Sequence, residues 1–117
     1  MAHRVEKCSA EAAFGLMAEY GGRNTFLPPT ALKMMRAAGD DVAAKFKCNI
    51  RSIASGGETL GAELLDWGRR VFGVTINEFY GQTECNMVVS SCQSIMAPKP
   101  GVMGRPVPGH DVAVIDM

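Results

Sequence analysis

The sequence predicts an α/β chain: a parallel βαβ sheet fragment with flanking helices, followed by a short β-rich segment. Three observations predict it. Residues 50–55 form a strand-like run that ends on the tight pair Gly56 and Gly57. A helical stretch follows, with Leu60, Leu64, Trp67 and Val71 at helical spacing. A second strand-like run then occupies residues 75–79. Strand, helix and strand in that order make a unit whose right-handed crossover leaves both strands parallel in one sheet.

Residues 9–20 read as an amphipathic helix, with Ser9 as N-cap, Gly21 just beyond the end and Ala13, Leu16, Met17 and Tyr20 on the buried face. Thr25, Phe26 and Leu27 form a short strand. Pro28 and Pro29 stop that strand and favour a helix start, after which Leu32, Met35 and Ala38 face inward. Met34 and Met35 suit an adaptable binding surface or a core, and filling gaps in the core is the commoner use of methionine. Gly39, Asp40 and Asp41 interrupt the pattern. In the central helix Thr59 serves as N-cap, Arg69 and Arg70 suit the last turn, and Gly73 closes it. Residues 87–91 read as a strand, residues 95–108 are rich in Pro and Gly, and residues 111–115 alternate like a further strand. The chain therefore divides into an α/β part, 1–84, and a Gly/Pro-rich β part, 85–117, without internal repeats.

At 117 residues the chain is large enough for one modest core. A composition 47% hydrophobic and 21% charged is that of a soluble globular protein, which argues against disorder. Twelve basic residues balance twelve acidic ones with no Lys/Arg run, so nothing favours nucleic acid as a partner. No apolar stretch approaches the roughly 20 residues that cross a bilayer, and residues 1–8 carry no leader-like apolar region, so a cytoplasmic location is expected. Cys8, Cys48, Cys85 and Cys92 lack the spacing of a zinc or redox site and suit reduced, mostly buried thiols. His3 and His110 lie too far apart in sequence to imply a metal cluster.

Parallel strands open their carboxyl ends onto one edge of the sheet, where ligands bind in such folds. The loops 56–59 and 80–84 are thus expected side by side, close enough to share one ligand. Ser55, Gly56, Gly57, Glu58 and Thr59 supply glycines that admit a ligand to the backbone, together with a helix N-terminus, features that suit a planar base. Alone, the segment reads first as a tight strand-to-helix turn. It is not a Walker-type loop, since Ala62 and Glu63 stand where Lys and Ser or Thr are needed, and Ser55 is not in a GxSxG elbow. Tyr80, Gly81, Gln82, Thr83 and Glu84 place an aromatic face, a glycine, an amide, a hydroxyl and a carboxylate within five residues. Such a set can stack on a base, bind phosphate and hold Mg²⁺. The alternative is a helix start with Thr83 as cap and Glu84 in the first turn.

Four segments in order, TFLPPTALKMMR at 25–36, GGET at 56–59, EFYGQTE at 78–84 and GVMGRPVPGHDVAVID at 101–116, resemble the adenylate-forming superfamily of acyl-CoA synthetases, luciferases and peptide-synthetase adenylation domains. The resemblance implies a fragment of the large N-terminal domain of an acyl-CoA synthetase, an acid–thiol ligase. Such an enzyme activates a carboxylic acid with ATP to an acyl-adenylate and passes the acyl group to CoA, releasing AMP. By motif position it implies that Gly57, Glu58 and Thr59 line the adenine, that Glu78 and Phe79 contribute chiefly backbone contacts, and that Tyr80 stacks on its face. Thr83 would bind the α-phosphate, Gln82 would support that loop through its backbone, and Glu84 would bind Mg²⁺. Gly56 and Gly81 fall at acyl-pocket positions, where glycine is expected to leave space for acids larger than acetate.

The family's Lys-terminated phosphate loop, its ribose-binding aspartate and the small domain with the catalytic lysine are not among these residues, so the chain alone is expected to be inactive. Apolar faces and sheet edges taken from a larger sheet favour a homodimer. An aryl-CoA ligase, a peptide-synthetase adenylation domain, or a noncatalytic nucleotide-binding or interaction remnant stand as the alternatives.

Overall fold

The computed structural model describes residues 8–116. His3 and the first seven residues, read above for a leader, lie outside the described residues. The elements run α1 (Ala10–Glu19), β1 (Asn24–Phe26), α2 (Pro29–Ala37), α3 (Asp40–Ala44), β2 (Ser52–Gly56), α4 (Ala62–Phe72), β3 (Ile76–Gln82), β4 (Asn86–Ser90) and β5 (Arg105–Pro106). One five-stranded sheet holds the strands in the order β1-β2-β3-β4-β5. The pairs β1–β2 and β2–β3 are parallel, with Ile53 opposite Ile76 and Ser55 opposite Glu78. β4 and β5 continue the sheet antiparallel.

The core lies between the helices and one face of the sheet. Phe14 and Met17 of α1, Leu32 and Met35 of α2, Ala43 of α3, and Leu64, Leu65 and Trp67 of α4 pack with Ile53 and Ile76 from the strands. Phe14 stacks on Phe46 and Phe72, and Phe72 meets the Trp67 indole edge-on at 5.5 Å. Phe26 and Phe79 belong to the opposite face, since their register partners Ala54 and Gly56 alternate with the core-facing Ile53 and Ser55. Their rings lie 5.6 Å apart, and Phe26 is 56% exposed.

Several local expectations are revised. Ser9 does cap α1, its Oγ accepting the Ala12 N–H at 3.1 Å. The buried face of that helix, however, is Ala10, Phe14 and Met17, while Tyr20 is exposed. The large Phe14 outcompetes a stripe built on Ala13 for the core. In α2, Leu32 and Met35 are buried and Met34 packs against the core, but Ala38 is exposed just past the helix end. The interruption at 39–41 is short, because Gly39 caps α3 and Asp40 and Asp41 sit in its first turn, where carboxylates suit the helix dipole. Thr59 is not the N-cap of α4; Gly61 is, and Leu60 before it is fully buried. Gly73 closes α4 in the left-handed conformation, its N–H donating to Arg69 O at 3.0 Å. Residues 111–115 form no strand, and Val114 is 98% exposed.

Arg70 of α4 reaches back to α3, its Nε donating to Asp40 Oδ2 at 2.9 Å. The Arg70 guanidinium holds the Asp40 carboxyl below its ordinary value. The small stability this exposed pair contributes is therefore present above the ordinary carboxylate range and lost as pH falls through the depressed value. Among the described residues no helix is long and apolar enough to cross a membrane.

The four thiols are free, as expected, but they are not mostly buried: Cys8 and Cys85 are exposed, and Cys48 and Cys92 are half-buried. Partial burial pushes the Cys48 thiol up, and its Sγ lies 3.6 Å from Phe14 O. Alkylation by iodoacetamide at pH 8 is accordingly expected to label Cys85 and Cys8 at least about tenfold faster than Cys48 in the folded chain, with the gap closing in denaturant. Mass mapping over time checks it, and equal native rates would contradict the packing of Cys48 against α1.

Candidate functional site

The two parallel strands β2 and β3 end at the same edge of the sheet, and there the chain leaves a cleft of about 340 Å³. Its walls are Gly57, Glu58 and Thr59 after β2, residues 78–82 of β3, and Gly101 with Met103 from the irregular segment before β5. Gly57 has φ +100°, and an added Cβ there would meet nothing within 4 Å, so the conformation rather than crowding requires glycine. The exposed loop is fixed at its far end by Leu60, whose side chain is fully buried. Glu58 forms an exposed ion pair with Lys33 of α2, Nζ to Oε2 3.4 Å, worth at most about 1 kcal/mol.

β3 runs further than the sequence suggests. Tyr80, Gly81 and Gln82 are strand residues paired with β4, and only residues 83–85 make the turn. The Cys85 N–H donates to Gln82 O at 3.1 Å, and Asn86 follows with φ +58°, a left-handed conformation that asparagine tolerates. Thr83 and Glu84 therefore belong to a hairpin turn rather than to the start of a helix. A bulge between Tyr80 and Gly81 shifts the register beside the cleft. Tyr80 keeps a partly exposed ring on the cleft wall.

Of the sequence-predicted residues, the structure brings Gly57, Glu58, Thr59, Glu78, Phe79, Tyr80, Gly81 and Gln82 around one cleft. Thr83 and Glu84 stand outside its walls, exposed in the turn next to it. Gly56 is buried below. The space beside both acyl-pocket glycines is filled rather than open. A Cβ on Gly56 would lie 2.9 Å from the Phe79 ring, and one on Gly81 would run into the Asn86 carbonyl and come within 2.9 Å of Met87 Cα. These glycines permit close strand approach.

Chemically, the cleft combines the backbone of a glycine-containing loop with an aromatic residue on its wall, with a hydroxyl and a carboxylate in the adjacent turn. Among the described residues no group of three or more His, Cys, Asp or Glu could hold a metal. Glu84 would supply one carboxylate ligand, which suits Mg²⁺ when phosphate and water complete the shell. Three features escaped the sequence. Gly101 and Met103 reach the cleft through irregular backbone that carries no periodic signal. Glu78 is 5% exposed, and its carboxylate Oε1 accepts the Leu60 N–H at 3.1 Å. Ser91 holds the Glu78 backbone, accepting its N–H on Oγ at 2.8 Å and donating its own N–H to Glu78 O at 2.8 Å.

Comparison with known proteins follows the same residues. The family described as AMP-binding enzyme matches residues 1–117. The chain is 35% identical over 109 residues to an acetyl-coenzyme A synthetase of Bacillus subtilis, covering 92% of this chain and 19% of that protein. It is 36% identical over 89 residues to 4-hydroxybutyrate–CoA ligase 1 of Metallosphaera sedula, covering 76% of this chain and 15% of that one. Among solved structures, an acyl-CoA synthetase of Brucella canis superposes with a TM-score of 0.85 at 34% identity, over 94% of this chain and 20% of that one. A benzoate CoA ligase of Burkholderia xenovorans gives 0.76 at 29% identity, over 89% of this chain and 21% of that one. The chain thus spans about a fifth of the length of the proteins it matches.

Proposed function

This chain belongs to the AMP-binding enzyme family, and we propose that its cleft is the adenine end of the nucleotide site of an AMP-forming acyl-CoA synthetase. The observation that carries this reading is the convergence of Gly57, Glu58 and Thr59 with Tyr80 on one cleft at the carboxyl ends of parallel strands. In this reading residues 57–59 line the adenine, the Tyr80 ring stacks on it, and the backbone of Phe79 lies alongside. Gln82 supports the turn, and the Thr83 hydroxyl donates to the α-phosphate. Glu84 would hold Mg²⁺, which when bound neutralises phosphate charge.

The overall reaction is that of an acid–thiol ligase. A carboxylate oxygen bonds to the α-phosphorus of ATP as the bond to pyrophosphate breaks, and the CoA thiol then forms the thioester as AMP leaves. Acids larger than acetate are proposed as substrates on the likeness to a 4-hydroxybutyrate–CoA ligase and a benzoate CoA ligase, since the filled space beside Gly56 and Gly81 supplies no acyl room. The exposed sheet face around Phe26 and the outer edge of β1, unpaired among the described residues, are proposed to support a homodimer.

The test is AMP release dependent on ATP, CoA and acid, measured on the protein as its native gene makes it and on the 117 residues alone. Release is expected from a longer product, with octanoate or benzoate preferred to acetate, and none from the 117 residues alone. Turnover by those residues alone, or a preference for acetate, would overturn the corresponding part of the proposal.

A further inference from the structure

Beneath the cleft lies a polar group that the proposed nucleotide contacts do not use. Glu78 occupies the third position of β3, 5% exposed, on the sheet face that packs against the helices. Burying a carboxyl group is costly unless it is hydrogen-bonded, and its Oε1 accepts the Leu60 N–H at 3.1 Å. Leu60 ends the loop that forms one wall of the cleft, while Glu78 belongs to the facing wall. Ser91, directly after β4, grips the Glu78 backbone with three hydrogen bonds of 2.8, 3.2 and 2.8 Å. Ser55, the register partner of Glu78 on β2, is fully buried, and its hydroxyl has no hydrogen-bond partner.

We propose that Glu78 is a positioning residue: with its backbone held by Ser91, its carboxyl group accepts the Leu60 N–H and fixes the 57–60 loop at the distance from β3 that an adenine requires. The inference rests on the nucleotide reading of the cleft, and it assigns Glu78 a side-chain role where chiefly backbone contacts are expected from the resemblance. Without the tether the exposed residues 57–59 keep as anchors the buried Leu60 side chain and the weak, exposed Glu58–Lys33 ion pair, and the loop gains freedom that a ligand must remove on binding.

The test compares the full 117-residue chain with Glu78→Gln, which keeps an acceptor, and Glu78→Leu, which does not. Two quantities are read: hydrogen exchange of the Leu60 amide and the dissociation constant for AMP. Loss of one hydrogen bond to a buried carboxyl group is expected to speed Leu60 exchange and weaken AMP binding by about tenfold or more in Glu78→Leu. Both stay within about threefold of the parent in Glu78→Gln, and α1 and α4 keep their protection. Unchanged Leu60 exchange in a folded Glu78→Leu chain, or equal losses in both variants, would overturn the proposal. Should Glu78→Leu fail to fold, the unmutated chain still decides. A scalar coupling across the hydrogen bond from the Leu60 amide nitrogen to the Glu78 carboxyl carbon should be detected, and its absence contradicts the tether. A parent chain that does not bind AMP, yet shows the Leu60 dependence on Glu78, sinks the nucleotide reading and leaves the tether standing.

Discussion

Trp67→Ala is expected to lower the thermal unfolding midpoint by about 15 °C, the product of a destabilisation near 4 kcal/mol and the usual slope of about 4 °C per kcal/mol for a domain of this size. Trp67 is 1% exposed and lies at the junction of α4 with the aromatic group of Phe14, Phe46 and Phe72. Truncation removes its contacts and leaves a cavity that α4 cannot close without drawing away from α1. Small domains hold only about 5–15 kcal/mol in total, so the loss is a large share of what keeps this chain folded. Ile95→Ala provides the contrast, since Ile95 is 78% exposed and its truncation should cost under about 0.5 kcal/mol. Calorimetry or circular dichroism reads both, and similar midpoints would contradict the placement of the core.

Gly81→Ala is expected to destabilise the chain by about 2–3 kcal/mol and to disturb the cleft at the same time. An added Cβ runs into the Asn86 carbonyl and approaches Met87 Cα to 2.9 Å, and both obstacles are backbone atoms of β4 that cannot rotate aside. The strand must move, and with it the bulge that sets Tyr80 and Gln82 against the cleft. If Gly81 instead served only to leave an acyl pocket open, alanine would be tolerated in the free chain. Gly61→Ala is the control, because an added Cβ there meets nothing within 4 Å and its φ is −75°. That change should cost about 1 kcal/mol or less, the loss of a glycine cap. Chemical denaturation of the two variants separates close packing from open space.

These particulars show which parts of the molecule can be read from residues alone. The βαβ unit was legible because its signals are local: the glycine pair at 56–57, the stripe through Leu64 and Trp67, and Gly73 in the left-handed cap of α4. The helix start was misplaced because Thr59 is a good capping residue by type, yet the chain spends Thr59 in the loop and buries Leu60 before turning into α4. The length of β3 was underestimated because its last residues belong to a hairpin set by Asn86 and the turn 83–85, a signal easily mistaken for a helix start. Residues 111–115 alternate as a strand should, but alternation does not supply a partner, and none exists among the described residues.

The candidate site divides in the same way. Residues 57–59 and 78–82 were legible as a pair of facing segments because parallel strands place their carboxyl ends together. What could not be read is the pairing of a side chain with a backbone amide 18 residues earlier, as between Glu78 and Leu60, or the approach of Met103 through irregular chain. Neither leaves a pattern in the sequence. The filled space beside Gly56 and Gly81 is likewise a property of packing across strands, which composition does not encode.

The most direct test of the nucleotide reading is a titration of the isotopically labelled 117-residue chain with AMP, followed by amide chemical shifts. Saturable shifts concentrated at residues 57–60, 78–84 and 101–103 are the expected result. A folded chain that shows no shifts at millimolar AMP, or shifts confined to residues away from the cleft, would contradict it.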